Sequence, residues 1–283
     1  MKNSPTHFLN GRLVEEKDIV VSVRDLGFSR GYAVFDFLIT YSGHKPFMLD
    51  KHIDRLFNSA KLIGLSMPWN KEQIKKWVLK TLNANKNEKS GQEKSIRIIV
   101  SGGVSTSLLP TGKPTIAILI GNHTPYPAEL YEKGAGIITV KHSRHIAEAK
   151  TNNYIEAVKQ AQIGKKFNAV ETVYYSDSQV FEGSASNIFA LINNKLLTPK
   201  TNILAGITRE TLLKNLKLSV PIEEKNFTLE ELLSADEVFL TASNKEVMPV
   251  TKINGKQVGN GKVGEITKQV MEQFKKFTLS NRW

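Results

Sequence analysis

Short apolar runs separated by turn residues open the chain. Phe8-Leu-Asn-Gly-Arg-Leu-Val reads as a hairpin turning on Asn10-Gly11, since Asn-Gly tolerates the positive φ angles of a tight turn. Ala33-Val-Phe-Asp-Phe-Leu-Ile-Thr-Tyr reads as a strand closed by Ser42-Gly43. Residues 7–49 are therefore expected to form antiparallel sheet. The period then changes. Ile53, Leu56, Phe57, Ala60 and Ile63 recur at helical spacing, with Asp50 where an N-cap belongs and an end near Gly64. A second amphipathic helix carries Ile74, Trp77, Val78 and Leu82, and the polar stretch from Asn83 to Lys94 reads as an exposed loop. Ile96-Arg-Ile-Ile-Val and Thr115-Ile-Ala-Ile-Leu-Ile follow as strands, separated by a glycine- and serine-rich segment from Ser101 and by Pro110 and Pro114.

This pattern divides the chain. Residues 1–120 are expected to form an N-terminal α+β domain. Residues 121–129, with Pro125 and Pro127 and no periodicity, suit a linker. Residues 130–283 read as a second domain, with strands at 136–141, 170–175, 187–192 and 237–242. Its helices fall at 153–166, at 207–216 and from about 263. The fold class is a two-domain α+β or α/β protein.

Composition narrows the chemistry. In 283 residues no apolar run approaches the ~20 needed to cross a bilayer, and the start lacks a signal-peptide core, so a cytoplasmic protein is expected. The absence of cysteine excludes disulfides, thiol nucleophiles and thiolate metal sites. The six histidines offer only His142 and His145 at close spacing, which reads as polar surface rather than a metal site. Gly183-Ser-Ala-Ser lacks the second glycine of a nucleophile elbow. A net charge of +12 raises nucleic acid or an anionic ligand as partner. The lysines, however, are scattered as pairs such as Lys75-Lys76 and Lys165-Lys166, without a recognised nucleic-acid motif.

Anion-binding features stand at separated points. Arg55 lies about 200° around its helix from Ile53, off the apolar stripe and on the face shared with His52 and Ser59. Gly206-Ile-Thr-Arg starts a helix, where the free amides of Ile207 and Thr208 suit a phosphate. Thr241-Ala-Ser-Asn, with Ser243 and Asn244, offers a hydroxyl- and amide-rich turn. Lys150 sits at a strand-to-helix junction four residues before Tyr154. In a dry pocket its amine can attack a carbonyl. Glu182, between apolar residues, needs a buried cationic partner or must take up a proton.

Together these motifs carry a resemblance. Arg24-Asp-Leu-Gly-Phe-Ser-Arg-Gly-Tyr-Ala-Val-Phe-Asp, His52-Ile-Asp-Arg-Leu, Lys150-Thr-Asn-Asn-Tyr, Glu182-Gly-Ser-Ala-Ser-Asn-Ile-Phe, Leu197-Thr-Pro, Gly206-Ile-Thr-Arg and Ala235-Asp-Glu-Val-Phe-Leu-Thr resemble the class IV aminotransferases. These are the fold-type IV pyridoxal-phosphate enzymes, which include D-amino acid aminotransferases, branched-chain aminotransferases and aminodeoxychorismate lyases. The resemblance implies an active site between the domains and pyridoxal 5'-phosphate as cofactor. Lys150 would be the Schiff-base lysine and Glu182 would face the pyridine nitrogen. Arg55, the Ile207 and Thr208 amides, Ser243 and Asn244 would hold the phosphate, and Tyr154 would lie near the phenolic oxygen. It also implies a homodimer with shared sites, the Arg30 loop reaching the partner's pocket, and exchange of an amino group between an amino acid and a 2-oxo acid.

Substrate choice is read from departures. The branched-chain signature, a tyrosine before the early glycine and then Phe-Glu-Gly-x-Arg, is replaced by Arg30-Gly31 and Phe35-Asp-Phe-Leu-Ile. The Arg-x-His trap of D-amino acid enzymes is missing from residues 101–112. Arg97, Arg30 and Lys245 are candidate replacements, and three cations suit a substrate with two carboxylates. A D-amino acid aminotransferase using D-glutamate or D-alanine with 2-oxoglutarate or pyruvate is the favoured expectation. An L-branched-chain aminotransferase is the alternative, then an aminodeoxychorismate lyase. A non-enzymatic anion- or nucleic-acid-binding protein is the reading from another class.

Overall fold

The computed structural model describes residues 4–86, 92–280 and 283. The chain forms two compact units. The first takes the described residues up to Thr124 together with Ala149–Asn153 and Trp283; the second takes Pro125–Glu148 and the described residues 154–280.

In the first unit, strands β1 (Thr6–Leu9), β2 (Arg12–Glu15), β3 (Ala33–Tyr41), β4 (Lys45–Pro46), β5 (Lys94–Ser101) and β6 (Thr115–Asn122) form an antiparallel sheet in the order β2-β1-β6-β5-β3-β4. Alternation assigns its faces. Val34 and Leu38 of β3, Ile96, Ile98 and Val100 of β5, and Ile116, Ile118 and Ile120 of β6 form one core. They pack on Leu49, Ile53, Leu56 and Ala60 of α2 (Leu49–Leu62) and on Ile74, Val78 and Leu82 of α3 (Lys71–Ala84). A short helix, α1 (Leu26–Arg30), is capped by Asp25, whose side chain accepts from Gly27 N.

Two details differ from the expectation. Asp50 lies inside the first turn of α2, and the cap position falls on Met48, held at φ 49°. The stretch from Asn83 to Lys94 is not uniformly loop: α3 continues to Ala84, Asn85 is buried, and Lys94 begins β5 with its Nζ donating to Asn122 Oδ1 at 2.7 Å. Polarity misleads there because Asn85 bridges Thr6 and Thr81, so its amide is satisfied indoors. Residues 87–91 of that stretch lie outside the described residues.

The strands of the second unit are β7 (Ala135–Lys141), β8 (Ala169–Ser176), β9 (Gln179–Gly183), β10 (Asn187–Ile192), β11 (Lys195–Thr198), β12 (Ile222–Glu224), β13 (Glu237–Ala242), β14 (Glu246–Ile253) and β15 (Lys256–Gln257). They form a mixed sheet in the order β12-β11-β10-β13-β14-β7-β8-β9, with β15 against β14. Its helices are α4 (Glu129–Glu132), α5 (Ile155–Gly164), α6 (Ile207–Asn215), α7 (Leu229–Leu233) and α8 (Glu265–Leu279). Ile188 and Ala190 of β10, Val238 and Leu240 of β13, and Met248 and Val250 of β14 form its core with Phe227 and Leu232. Strand β14, in the middle of the sheet, has no counterpart in the expected elements. Its Pro249 pairs with Phe239 of β13, and β7 joins β14 only from Val250 on, so the proline interrupts no ladder on that side.

The break between units follows Thr124. The segment carrying Lys150 was expected in the second domain and packs instead with the first unit. The cause is main-chain pairing: Phe35 N donates to Lys150 O at 3.0 Å, Asn152 N donates to Ala33 O at 3.1 Å, and Thr151 bridges Val34. This short strap completes the edge of β3. Among the described residues no helix is long and apolar enough to cross a membrane.

Candidate active site

In the first unit the chemistry gathers around β3. Asp36 is fully buried on the face toward α2, where its carboxylate would be expelled unless neutralised. Residues His52 and Arg55, one turn apart on α2, meet it. His52 Nδ1 lies 2.7 Å from Asp36 Oδ1, while Arg55 Nε and Nη2 donate to Oδ2 and Oδ1 at 2.8 Å each. Phe37 N adds a bond of 2.7 Å to Oδ1. Burial pushes the Asp36 carboxyl up, but the Arg55 charge, His52 and their hydrogen bonds outweigh it and hold it well below the usual carboxylate range. Burial pushes the His52 imidazole down against the pull of Asp36, and the Arg55 and Lys150 charges push it the same way. His52 is thus neutral, with Nδ1–H donating to Asp36 and Nε2 buried without a hydrogen-bond partner. Arg55, expected to be a phosphate ligand, is fixed in plane by this bidentate pairing.

Lys150 reaches the same strand. Its N–H donates to Ser59 Oγ of α2 at 3.0 Å, and its Nζ stands 4.7 Å from the Phe35 ring centroid. The outward face of the sheet carries Phe35, Phe37 and Arg97 in register, Phe37 opposite Arg97. The Arg97 guanidinium lies 5.3 Å from the Phe35 centroid and 5.6 Å from that of Phe37. Arg97 is exposed and pairs with no acid among the described residues. Arg30 is exposed at the end of α1, with Nη1 on Ser29 O at 2.8 Å.

In the second unit, Glu182 is the penultimate residue of β9 and is buried. Its cationic partner is Arg144, which bonds Glu182 Oε1 and Ala147 O. Oε2 accepts from Leu204 N at 2.9 Å and Asn187 Nδ2 at 3.3 Å. Asn187 Nδ2 also donates to Leu204 O at 2.9 Å, tying the start of β10 to the turn before α6. Opposite Asn187 in register stands Thr241 of β13. Glu182, the start of α6 and the end of β13 are thereby brought together. No side chain caps α6, so its first amides, including those of Ile207 and Thr208, have no partner in the helix. Gly206 is required there, because a Cβ would stand 1.8 Å from Asn187 Oδ1. Ser243 and Asn244 are half-buried in the turn joining β13 to β14, and Tyr154 is half-buried at the start of α5.

Lys245 departs from the expectation. Its side chain is buried in an ion pair with Glu171, Nζ 2.9 Å from Oε2, and Nζ also lies 5.4 Å from the Tyr126 ring centroid. Burial pushes the ammonium down, but Glu171 and Tyr126 outweigh it and raise its pKa to about 12. It is neither a solvent lysine nor a cation left over for a substrate, since its charge is matched by an interior acid. Sequence reasoning also missed Arg144, Asp36 and Asn187. Arg144 sits between the two histidines considered for metal, and the need of Glu182 for a cation was the available signal. His142 packs edge-on to Tyr174 at 4.8 Å, and the described residues hold no cluster of three or more metal-ligating side chains.

Each unit by itself carries donors that suit part of a phosphorylated pyridine: the first a fixed arginine and the lysine, for phosphate and aldehyde, and the second open helix amides and a tethered buried carboxylate, for phosphate and ring nitrogen. Two buried hydroxyls, Thr241 Oγ1 beside Asn187 and Ser186 Oγ, lack protein partners and are open to a polar ligand.

Known proteins define the class. The family model for amino-transferase class IV matches residues 33–253, and the chain belongs to that family. It is 38% identical to a Methanocaldococcus jannaschii protein named provisionally as a branched-chain-amino-acid aminotransferase, over 98% of this chain and 96% of that one. It is 32% identical to a D-alanine aminotransferase of Staphylococcus epidermidis, over 97% and 98%. The branched-chain aminotransferase of Thermoproteus uzoniensis, solved with norvaline, superposes with a TM-score of 0.88 at 29% identity, over 99% of this chain and 96% of that one. The fold is also that of a T.th. branched-chain amino acid aminotransferase solved with pyridoxamine 5'-phosphate, at a TM-score of 0.90 and 24% identity, over 99% and 95%. The chain is accordingly a pyridoxal-phosphate-dependent aminotransferase of fold type IV, acting on an amino acid and a 2-oxo acid.

Proposed function

We propose that this aminotransferase takes an acidic substrate pair, glutamate and 2-oxoglutarate, in one half-reaction. The observation that carries this reading is Arg97: an exposed guanidinium, aligned by two phenylalanine rings on the face that presents Phe35 to Lys150. An unmatched arginine there favours a second carboxylate. On the residues alone, the D-enantiomer is the reading, with D-alanine and pyruvate as the second pair.

A second reading rests on the comparisons. The 38% relative and the Thermoproteus uzoniensis structure at 29% carry branched-chain names, whereas the D-alanine enzymes stand at 31–32%. On relatives, an L-branched-chain donor is the better supported of the two. Both readings retain glutamate as the acidic partner.

In either case pyridoxal phosphate, when bound, supplies an electron sink for charge developing at the substrate α-carbon. Lys150 Nζ would hold the cofactor and move the α-proton. Glu182, held by Arg144 and Asn187, would face the ring nitrogen and hold it protonated. Arg55, the Ile207 and Thr208 amides, Ser243 and Asn244 would each contribute to holding the phosphate, and Tyr154 would serve the phenolic oxygen. Arg30, on an exposed helix end, reaches a partner subunit's site in a cytoplasmic homodimer.

The test is the visible spectrum of the holoenzyme, with D-glutamate, D-alanine, L-glutamate and L-leucine added separately. Bleaching by D-glutamate and D-alanine alone establishes the D-reading; bleaching by L-leucine establishes the branched-chain one. In Arg97→Ala, KM for dicarboxylates should rise about tenfold or more, with monocarboxylates little changed. Equal effects on both classes would refute the role of Arg97.

A further inference from the structure

Glu171 and Lys245 form a buried ion pair with no part in the chemistry just described. Glu171 lies on β8, and its two oxygens face different parts of the second unit. Oε1 accepts from Ser184 Oγ at 3.1 Å and from Ala185 N. Ser184 and Ala185 follow Glu182 by two and three residues, in the turn between β9 and β10. Oε2 faces Lys245 Nζ at 2.9 Å, and both side chains are at most 4% exposed. That oxygen accepts no well-directed hydrogen bond, so the attraction is chiefly charge on charge.

Lys245 closes the turn that contains Ser243 and Asn244, its N–H donating to Ala242 O at 3.1 Å. Its carbonyl accepts from Tyr131 Oη at 3.0 Å, and its ammonium stands over Tyr126. The pair therefore joins the segment after Glu182 to the turn after β13. Gly183 is confined by the same carboxylate: a Cβ there would stand 2.8 Å from Glu171 Oε1 and 2.3 Å from Ser186 Oγ. Neither segment can shift without pulling on a charge that has no other counter-ion among the described residues.

We propose that Lys245 and Glu171 are positioning residues for the cofactor, holding the carboxylate and the phosphate-binding turn at a fixed separation. The proposal rests on the assignment of Glu182 to the ring nitrogen and of Ser243 and Asn244 to the phosphate. Lys245 acts through Glu171 and touches neither substrate nor cofactor, which reverses the substrate-binding role expected from sequence. Loosening a site by a fraction of an ångström weakens a ligand held at both ends more than one held at a single point.

The experiment measures release of pyridoxal phosphate from the holoenzyme by visible absorbance, with thermal melting of the cofactor-free protein alongside. Lys245→Met/Glu171→Gln leaves no full charge buried and should retain the fold while releasing the cofactor about tenfold faster or more, the scale seen when residues that orient a ligand are lost. Lys245→Arg, which keeps the pair, should stay near the parent. Release within twofold of the parent in the double variant overturns the proposal. So does a raised dicarboxylate KM with unchanged release, which would return Lys245 to the substrate. If the charge variants do not fold, Tyr131→Phe decides, because it removes only the bond to the Lys245 carbonyl: faster release supports the proposal and unchanged release refutes it. Glu182→Ala and Ser243→Ala serve as controls. If both retain the cofactor like the parent, the underlying assignment fails, whatever the pair does.

Discussion

Asp36 is the residue on which the first unit's chemistry turns. Its carboxylate is inaccessible to water and accepts four protein hydrogen bonds, three of them from side chains on α2. Replacing it with alanine removes the buried carboxylate that faces the Arg55 charge, and a loss of about 3 kcal/mol is expected in urea unfolding. The acid response has a definite sign. Asp36 has a folded pKa below its unfolded value, so its contribution is complete above the ordinary carboxylate range and disappears as pH falls toward the folded value. His52, also lowered, is neutral in the folded state and takes up a proton more readily when unfolded, so it too costs stability as pH falls below about 6.5. Unfolding free energy should therefore decline from pH 7 to pH 5, and His52→Gln should flatten that decline; an equally steep decline in the variant would remove His52 from the account. In the sequence, Arg55 and His52 stood out by face, but Asp36 was hidden inside a strand that read as continuous apolar pattern. Side-chain identity showed which groups could bind anions. It did not show which charges would be matched internally, as that of Lys245 is by Glu171.

At the scale of elements, periodicity recovered the strands and helices with a single clear face. α2 and β5 follow their apolar repeats closely. Strands β9, β11 and β14 escaped because they are short or interrupted: β14 carries Pro249, and β11 has only four residues. Buried on both sides, they show no alternation to read. Helix ends depended on partners far along the chain. The start of α8 is satisfied by Glu237 of β13, which accepts from Ile266 N at 3.1 Å and from Thr267 N and Oγ1 at 2.7 Å each. A Cβ on Gly264 would meet that carboxylate at 2.0 Å. Glu237→Ala should cost about 1–2 kcal/mol, as loss of a helix cap does, and lower the melting temperature without altering cofactor release. A change in release would place α8 in the site.

For the whole molecule, composition excluded thiol and membrane-spanning readings, while motif order across most of the chain carried the family. The expected boundary differed because composition marks where a segment is irregular, not what it packs against. Residues 149–153 have no apolar signature, and only their main-chain bonds assign them to the first unit. That strap makes the two halves of the gene product unequal. Residues 4–124 made alone would carry a bare strand edge at Ala33 and Phe35, and unsatisfied edges recruit other chains. Such a fragment should aggregate on expression and become soluble when residues 125–283 are supplied as a second polypeptide. A monodisperse lone fragment in size-exclusion chromatography would refute this. Any attempt to split, permute or graft this enzyme should keep the lysine strap with the piece that bears β3, although in sequence it lies among residues of the other.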